Sequence, residues 1–120
     1  MKEVILQTRV SVCSYDELPD ADRAVVDVAR CATAGSYSVY SGFSVGAAVR
    51  LGNGKVVSGS NQENAAYPSG MCAERTTLFW ANSNYPSERK LPFIFSSVAT
   101  SDKACQRGDD QEGSRCDPSI

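Results

Sequence analysis

Phe43-Ser44-Val45-Gly46-Ala47-Ala48-Val49-Arg50-Leu51 and Lys55-Val56-Val57-Ser58-Gly59-Ser60 flank Gly52-Asn53-Gly54, and the architecture of the chain follows from this stretch. The first run reads as a β-strand. Residues 55–60 return as its paired strand. Between them, Gly52-Asn53-Gly54 is a strong turn signal, and Asn-Gly favours a primed hairpin turn. Downstream, residues 61–71 (NQENAAYPSGM) are polar, carry Pro and Gly, and read as a loop. A helix starts near Cys72 and runs through Ala73, Thr76, Thr77, Phe79, Trp80 and Ala81. Asn82-Ser83-Asn84-Tyr85-Pro86 ends it. Residues 91–100 (LPFIFSSVAT) suggest a third sheet strand.

Upstream, Asp16-Glu17-Leu18-Pro19-Asp20 has the look of a helix entrance, with Pro and acids near the first turn. Val25, Val28, Ala29 and Ala32 then recur at helical spacing, predicting a helix near residues 20–34 that stops at Gly35. Residues 2–12 (KEVILQTRVSV) are rich in β-branched residues and are expected to be extended. Cys13 follows them, and Cys31 lies beside the apolar face of the helix. Both read as packed or idle thiols. Residues 101–120 contain one isoleucine and no other aliphatic residue larger than alanine, with no helical or strand period. The expected organisation is one domain over residues 1–100 and an irregular tail over 101–120.

Composition narrows the chemistry. The 120 residues are 42% hydrophobic and 22% charged, which argues for a globular chain and against disorder. Net charge is −2 and no Lys/Arg stripe is present, which disfavours nucleic-acid binding. The apolar runs fall far short of the ~20 residues that span a bilayer. Val4-Ile5-Leu6 is too short for a signal-peptide core, so the expected location is cytoplasmic. Histidine is absent, which excludes Ser-His-Asp, Cys-His and HExxH chemistry. Five cysteines in such a chain read as thiols or metal ligands rather than as a disulfide framework.

The chemistry-bearing block is Cys72-Ala73-Glu74-Arg75, at a loop-to-helix junction. A cysteine there meets the positive end of the helix dipole and unpaired N–H groups, which favour the thiolate that ligates zinc. A carboxylate two residues on is placed beside such a metal as a proton shuttle. On these four residues alone, the favoured reading is the plainer one, a buried helix cysteine followed by a surface Glu-Arg pair.

A wider pattern bears on that choice. Tyr37-Ser38-Val39-Tyr40-Ser41-Gly42-Phe43-Ser44-Val45-Gly46-Ala47-Ala48 resembles the segment of cytidine deaminases that leads into their first sheet strand. Asn61-Gln62-Glu63-Asn64-Ala65-Ala66-Tyr67-Pro68 resembles their N-x-E-N substrate loop. Cys72-Ala73-Glu74-Arg75-Thr76-Thr77 resembles their first zinc-ligand motif. The blocks occur in order, over roughly residues 18–85, on the predicted strand, loop and helix.

The resemblance implies an α/β fold, a mixed sheet with helices on both faces. It implies hydrolytic, zinc-dependent deamination of cytidine or deoxycytidine to uridine or deoxyuridine plus ammonia, in pyrimidine salvage. Cys72 matches the first zinc ligand and Glu74 the catalytic proton shuttle. Ala73 matches a main-chain contact to the base. Asn61 and Glu63 match the pair that holds the ribose hydroxyls, and an amide beside a carboxylate suits a sugar 3′-OH that both donates and accepts. Phe43 matches an aromatic against the base. Arg75 matches the arginine that hydrogen-bonds ligand sulfur and offsets thiolate charge. The partners implied are a small nucleoside substrate and further copies of the chain as a homotetramer, with neither nucleic acid nor membrane. A blasticidin-S-type deaminase is a close variant.

The resemblance stops at the second zinc motif. The family takes its second and third ligands from a P-C-x-x-C block, and no C-x-x-C occurs here. Cys105 and Cys116 are eleven positions apart in the Gly/Asp/Ser-rich tail. The expectation is a deaminase fold truncated or frameshifted after about residue 90, its C-terminal part missing. The alternative function is a catalytically inactive remnant that co-assembles with deaminase subunits.

Overall fold

The structure is a computed structural model that describes residues 1–88 and 94–100. Helix α1 (Asp20–Ala32) is followed by strands β1 (Ser44–Arg50) and β2 (Val56–Ser60), helix α2 (Ala73–Asn84) and strand β3 (Ile94–Thr100). The strands lie in the order β2-β1-β3, and the described part of the sheet is antiparallel throughout. Strand β1 is the spine: Arg50 faces Val56 on one side and Ile94 on the other.

The pleat sends alternate residues of β1 to opposite faces, and each face receives one helix. Ala48 packs with Val25 and Ala29 of α1, joined by Val28, Val56 and Val98. Val49 packs with Val57 and Ala81 of α2, joined by Leu51, Tyr85 and Phe95. The result is a three-layer α/β arrangement with helices on both faces, as expected.

Both helices approach the sheet closely because the strands present glycine or alanine there. A Cβ on Gly46 would stand 2.0 Å from the Ala29 carbonyl oxygen and 2.8 Å from Thr33 N. One on Gly59 would stand 2.7 Å from Thr77 Oγ1. Thr77 is fully buried, and its hydroxyl donates to the Ala73 carbonyl at 2.8 Å, inside α2. The first turn of α2 is therefore seated on β2, which fixes the position of Cys72 and Glu74.

Several local expectations are corrected. The hairpin does not use a two-residue primed turn. Gly54 N donates to Leu51 O at 3.0 Å and Leu51 N to Lys55 O at 2.8 Å, enclosing the three residues Gly52-Asn53-Gly54. Gly54 takes the left-handed conformation (φ 85°), so the third loop residue, not an Asn-Gly pair, absorbs the twist. Residues 2–12 form no strand. They are exposed along their length, Val4, Ile5, Leu6, Val10 and Val12 included. A strand needs a ladder partner, and β-propensity alone does not supply one. Helix α1 ends at Ala32 and tightens into a 3₁₀ turn over Thr33–Gly35, without a left-handed glycine. The third strand begins at Ile94; residues 91–93 and the 101–120 tail, with Cys105 and Cys116, lie outside the described residues.

Candidate active site

Cys72 caps α2. Its backbone is extended (φ −72°, ψ 159°), and its Sγ accepts the Arg75 backbone N–H at 3.4 Å. A thiol thus takes the place usually held by a Ser, Thr, Asp or Asn oxygen. Arg75 meets the sulfur through its main chain. Two residues into the helix, Glu74 reaches β3, where Ser97 Oγ donates to Glu74 Oε1 at 2.8 Å. Its own backbone N–H, then the Ser97 hydroxyl, hold the Glu74 carboxyl below the usual carboxylate range, and Cys72 adds to this.

The loop before α2 is closed by a short backbone ladder. Gln62 and Met71 exchange two hydrogen bonds at 2.8 Å, and Glu63 N donates to Tyr37 O at 2.8 Å. This folds residues 61–71 back toward the segment that precedes β1. Asn61 secures the join. Its Oδ1 accepts from Val45 N at 2.9 Å and from the Ser36 hydroxyl, and its Nδ2 donates to Phe43 O at 3.0 Å. Glu63 Oε2 accepts the backbone N–H groups of Tyr40 (3.0 Å) and Ser41 (3.1 Å), and its Oε1 accepts the Ser41 hydroxyl. The hydroxyl contact first, with both N–H bonds, lowers the Glu63 carboxyl from its usual value.

These elements enclose a cleft of about 860 Å³, within the size range of small-molecule sites. Asn61, Glu63, Cys72, Ala73, Glu74 and Arg75 all line it, so six of the seven expected site residues share one cleft. Phe43 does not: it is 46% exposed and its side chain lies outside the lining. Tyr67 and Pro68 also line the cleft from a 3₁₀ turn. Trp80 is 50% exposed beside Tyr85.

Two further residues at the site carry no signal of their own in the sequence, and a third does. Ser36 and Ser41 sit in a serine-rich loop where any hydroxyl looks like turn chemistry. Ser97 was findable: Phe95 packs toward α2, and strand alternation turns Ser97 the same way.

A catalytic zinc takes three protein donors and keeps an open position. Among the described residues, no group of three or more His, Cys, Asp or Glu side chains comes together as metal donors. Cys72 contributes one thiol. The described residues by themselves do not fit a catalytic zinc ion.

Comparison with known proteins agrees with this geometry. Residues 19–106 match the cytidine and deoxycytidylate deaminase zinc-binding region, and the chain belongs to that family. A cytidine deaminase of Halalkalibacterium halodurans is 53% identical over 49 residues, 41% of this chain and 37% of that protein. One from Mycobacterium tuberculosis is 45% identical over 58 residues, 48% of this chain and 44% of that protein. The crystal structure of cytidine deaminase from Burkholderia pseudomallei superposes with a TM-score of 0.56 at 37% identity, over 68% of each chain. The chain thus spans less than half the length of these curated relatives, 37% and 44%. Among the described residues, no helix is long and apolar enough to cross a membrane.

Proposed function

We propose that the cleft binds cytidine or deoxycytidine and that the chain carries the substrate-holding and proton-transfer half of a hydrolytic deaminase site. The observation behind this reading is the convergence of Asn61, Glu63, Cys72, Ala73, Glu74 and Arg75 on one cleft from two separate segments. Deamination replaces the C4 amino group of cytosine by oxygen: water adds at C4, ring N3 gains a proton, and ammonia leaves. Each stage moves a proton, and Glu74 is the group positioned to move it. Its lowered pKa agrees with its entering as the carboxylate, the form that accepts one proton from water and passes it to N3, then takes the proton of the new C4 hydroxyl and passes it to the departing nitrogen.

The other residues bind and orient. Ala73 is fully buried in the first turn of α2, where main-chain N–H groups have no intrahelical partner and suit a pyrimidine carbonyl. Glu63 and Asn61 take the sugar end. Phe43 completes the base side only by turning inward from its exposed position. The metal in keeping with the family is zinc, one ion per chain, which Cys72 holds once two further donors join it. Cytoplasmic pyrimidine salvage and assembly as a homotetramer accompany this reading.

A second reading rests on the donor set. With one thiol among the described donors, the chain acts as a non-catalytic partner of complete deaminase subunits. Zinc content after gel filtration, paired with the absorbance loss on conversion of cytidine to uridine, separates the two. Close to one zinc per chain with turnover supports the enzyme. Absent zinc and absent turnover, with retention on an immobilised full-length deaminase, supports the partner. Turnover of blasticidin S but not cytidine would instead move the substrate assignment to the antibiotic.

A further inference from the structure

Ser41 lies in the connection between α1 and β1 and meets Glu63 across 22 positions of sequence. Three donors reach the Glu63 carboxylate, and two of them belong to this one residue: its backbone N–H at 3.1 Å and its hydroxyl. The third is Tyr40 N at 3.0 Å. The Ser41 hydroxyl also accepts the Phe43 backbone N–H at 3.1 Å. Gly42, in the left-handed conformation (φ 67°), turns the chain sharply between these partners. Its N–H donates to Ser38 O at 2.9 Å and closes the loop.

This arrangement leaves each group one role. The single hydroxyl proton of Ser41 goes to Glu63, so the hydroxyl has none to offer a ligand. An ionised carboxylate has about four acceptor sites. Three are occupied from the loop side, which leaves one for the cleft that Glu63 lines. A carboxylate cannot donate, so its ligand must bring a proton, as a sugar hydroxyl does and a phosphate dianion does not.

We propose that Ser41 is a positioning residue that orients Glu63, so that the free acceptor site of the carboxylate meets the 3′-hydroxyl of a nucleoside in the cleft. The proposal rests on the nucleoside reading given above. It adds that recognition of the sugar hydroxyl is set by a serine that does not touch the sugar. The lowered pKa of Glu63, caused first by this hydroxyl, agrees with the carboxylate being held in its charged form.

The test is calorimetric binding of cytidine and of 3′-deoxycytidine to the full chain and to Ser41→Ala, Ser41→Thr and Glu63→Ala. The unaltered chain should bind cytidine about 10-fold more tightly than 3′-deoxycytidine, the scale of one hydrogen bond to a charged group. Ser41→Ala should shrink that ratio toward one by weakening cytidine alone, while Ser41→Thr, which keeps the hydroxyl, preserves it. Equal weakening of both nucleosides by Ser41→Ala, or an unchanged ratio, overturns the proposal. Should Ser41→Ala fail to fold, Ser41→Cys, with a weak donor of similar size, carries the same comparison. Glu63→Ala separates the two levels. If it collapses the ratio and Ser41→Ala does not, the sugar reading stands and Ser41 has no such role. If Glu63→Ala leaves the ratio intact, or the unaltered chain binds neither nucleoside, the sugar reading itself fails, and the proposal with it.

Discussion

Ser97 on β3 donates its hydroxyl to the Glu74 carboxylate at 2.8 Å, tying the last described strand to the first turn of α2. The bond fixes the carboxylate beside Cys72, at the edge of the cleft that Asn61 and Glu63 line from the other segment. Ser97→Ala should let the Glu74 carboxyl titrate closer to its ordinary value, although its own backbone N–H still depresses it. Carbon-detected NMR titration of the side chain checks the direction. No upward movement would show that Ser97 does not act on Glu74 in solution.

Glu74→Gln keeps the shape of the side chain and removes its capacity to carry a proton. In an active, zinc-loaded preparation, turnover of cytidine should fall by about 10²-fold or more. Zinc content should be unchanged, since the proposed ligand is the Cys72 thiol and not this carboxylate. Turnover within a few-fold of the unaltered chain would remove Glu74 from the mechanism.

Glu63 gives a pH dependence of known sign. Its folded-state pKa lies below the unfolded value, with the Ser41 hydroxyl as the main cause. Such a carboxyl stabilises the fold above the unfolded pKa, and the contribution is lost as pH falls through the folded one. Glu63→Gln should therefore melt below the unaltered chain near neutral pH, and the gap should shrink as pH falls below the ordinary glutamate range. Thermal melts across that range test it; a gap that is constant with pH would mean the charge of Glu63 does not brace the loop.

Gly46→Ala places a methyl group 2.0 Å from the Ala29 carbonyl oxygen. Backbone must move on both sides, since neither atom belongs to a flexible side chain. The expected loss is about 3 kcal/mol in urea unfolding, the upper end for overpacking. Gly59→Ala should cost less, because the nearest atom, at 2.7 Å, is the Thr77 hydroxyl. Equal stabilities for the two variants would contradict the close seating of α1 on β1.

Cys72→Ser separates capping from metal binding. Serine is a preferred N-cap, so helix stability should hold within about 1 kcal/mol. Zinc associated with the cleft should be lost. Retained stability with retained zinc would show that the ion sits elsewhere.

Much of the fold could be read from residue pattern. The hairpin, both helices and the third strand fall where alternation, helical spacing and turn residues place them. The errors came where propensity had no partner to act on. Val4, Leu6, Val10 and Val12 have strand-like composition and parity, yet residues 2–12 pair with nothing among the described residues. Gly52-Asn53-Gly54 announced a turn correctly and its type incorrectly. The loop length depends on which residues of β1 and β2 face each other, and the Arg50–Val56 pairing settles that.

The site divides in the same way. The resemblance of ordered blocks supplied Cys72, Glu74, Asn61 and Glu63: a thiol and a carboxylate two positions apart, with an amide and an acid eleven positions earlier, lie in short local motifs. What those side chains do with their hydrogen bonds was not local. Asn61 clamps Ser36, Phe43 and Val45, Glu63 is held by Tyr40 and Ser41, and Glu74 by Ser97. Each contact joins positions 16 to 25 apart, brought together when the two helices close on opposite faces of one sheet. Local chemistry is written in neighbouring residues, whereas the aim of a carboxylate depends on which distant donors the packing delivers to it.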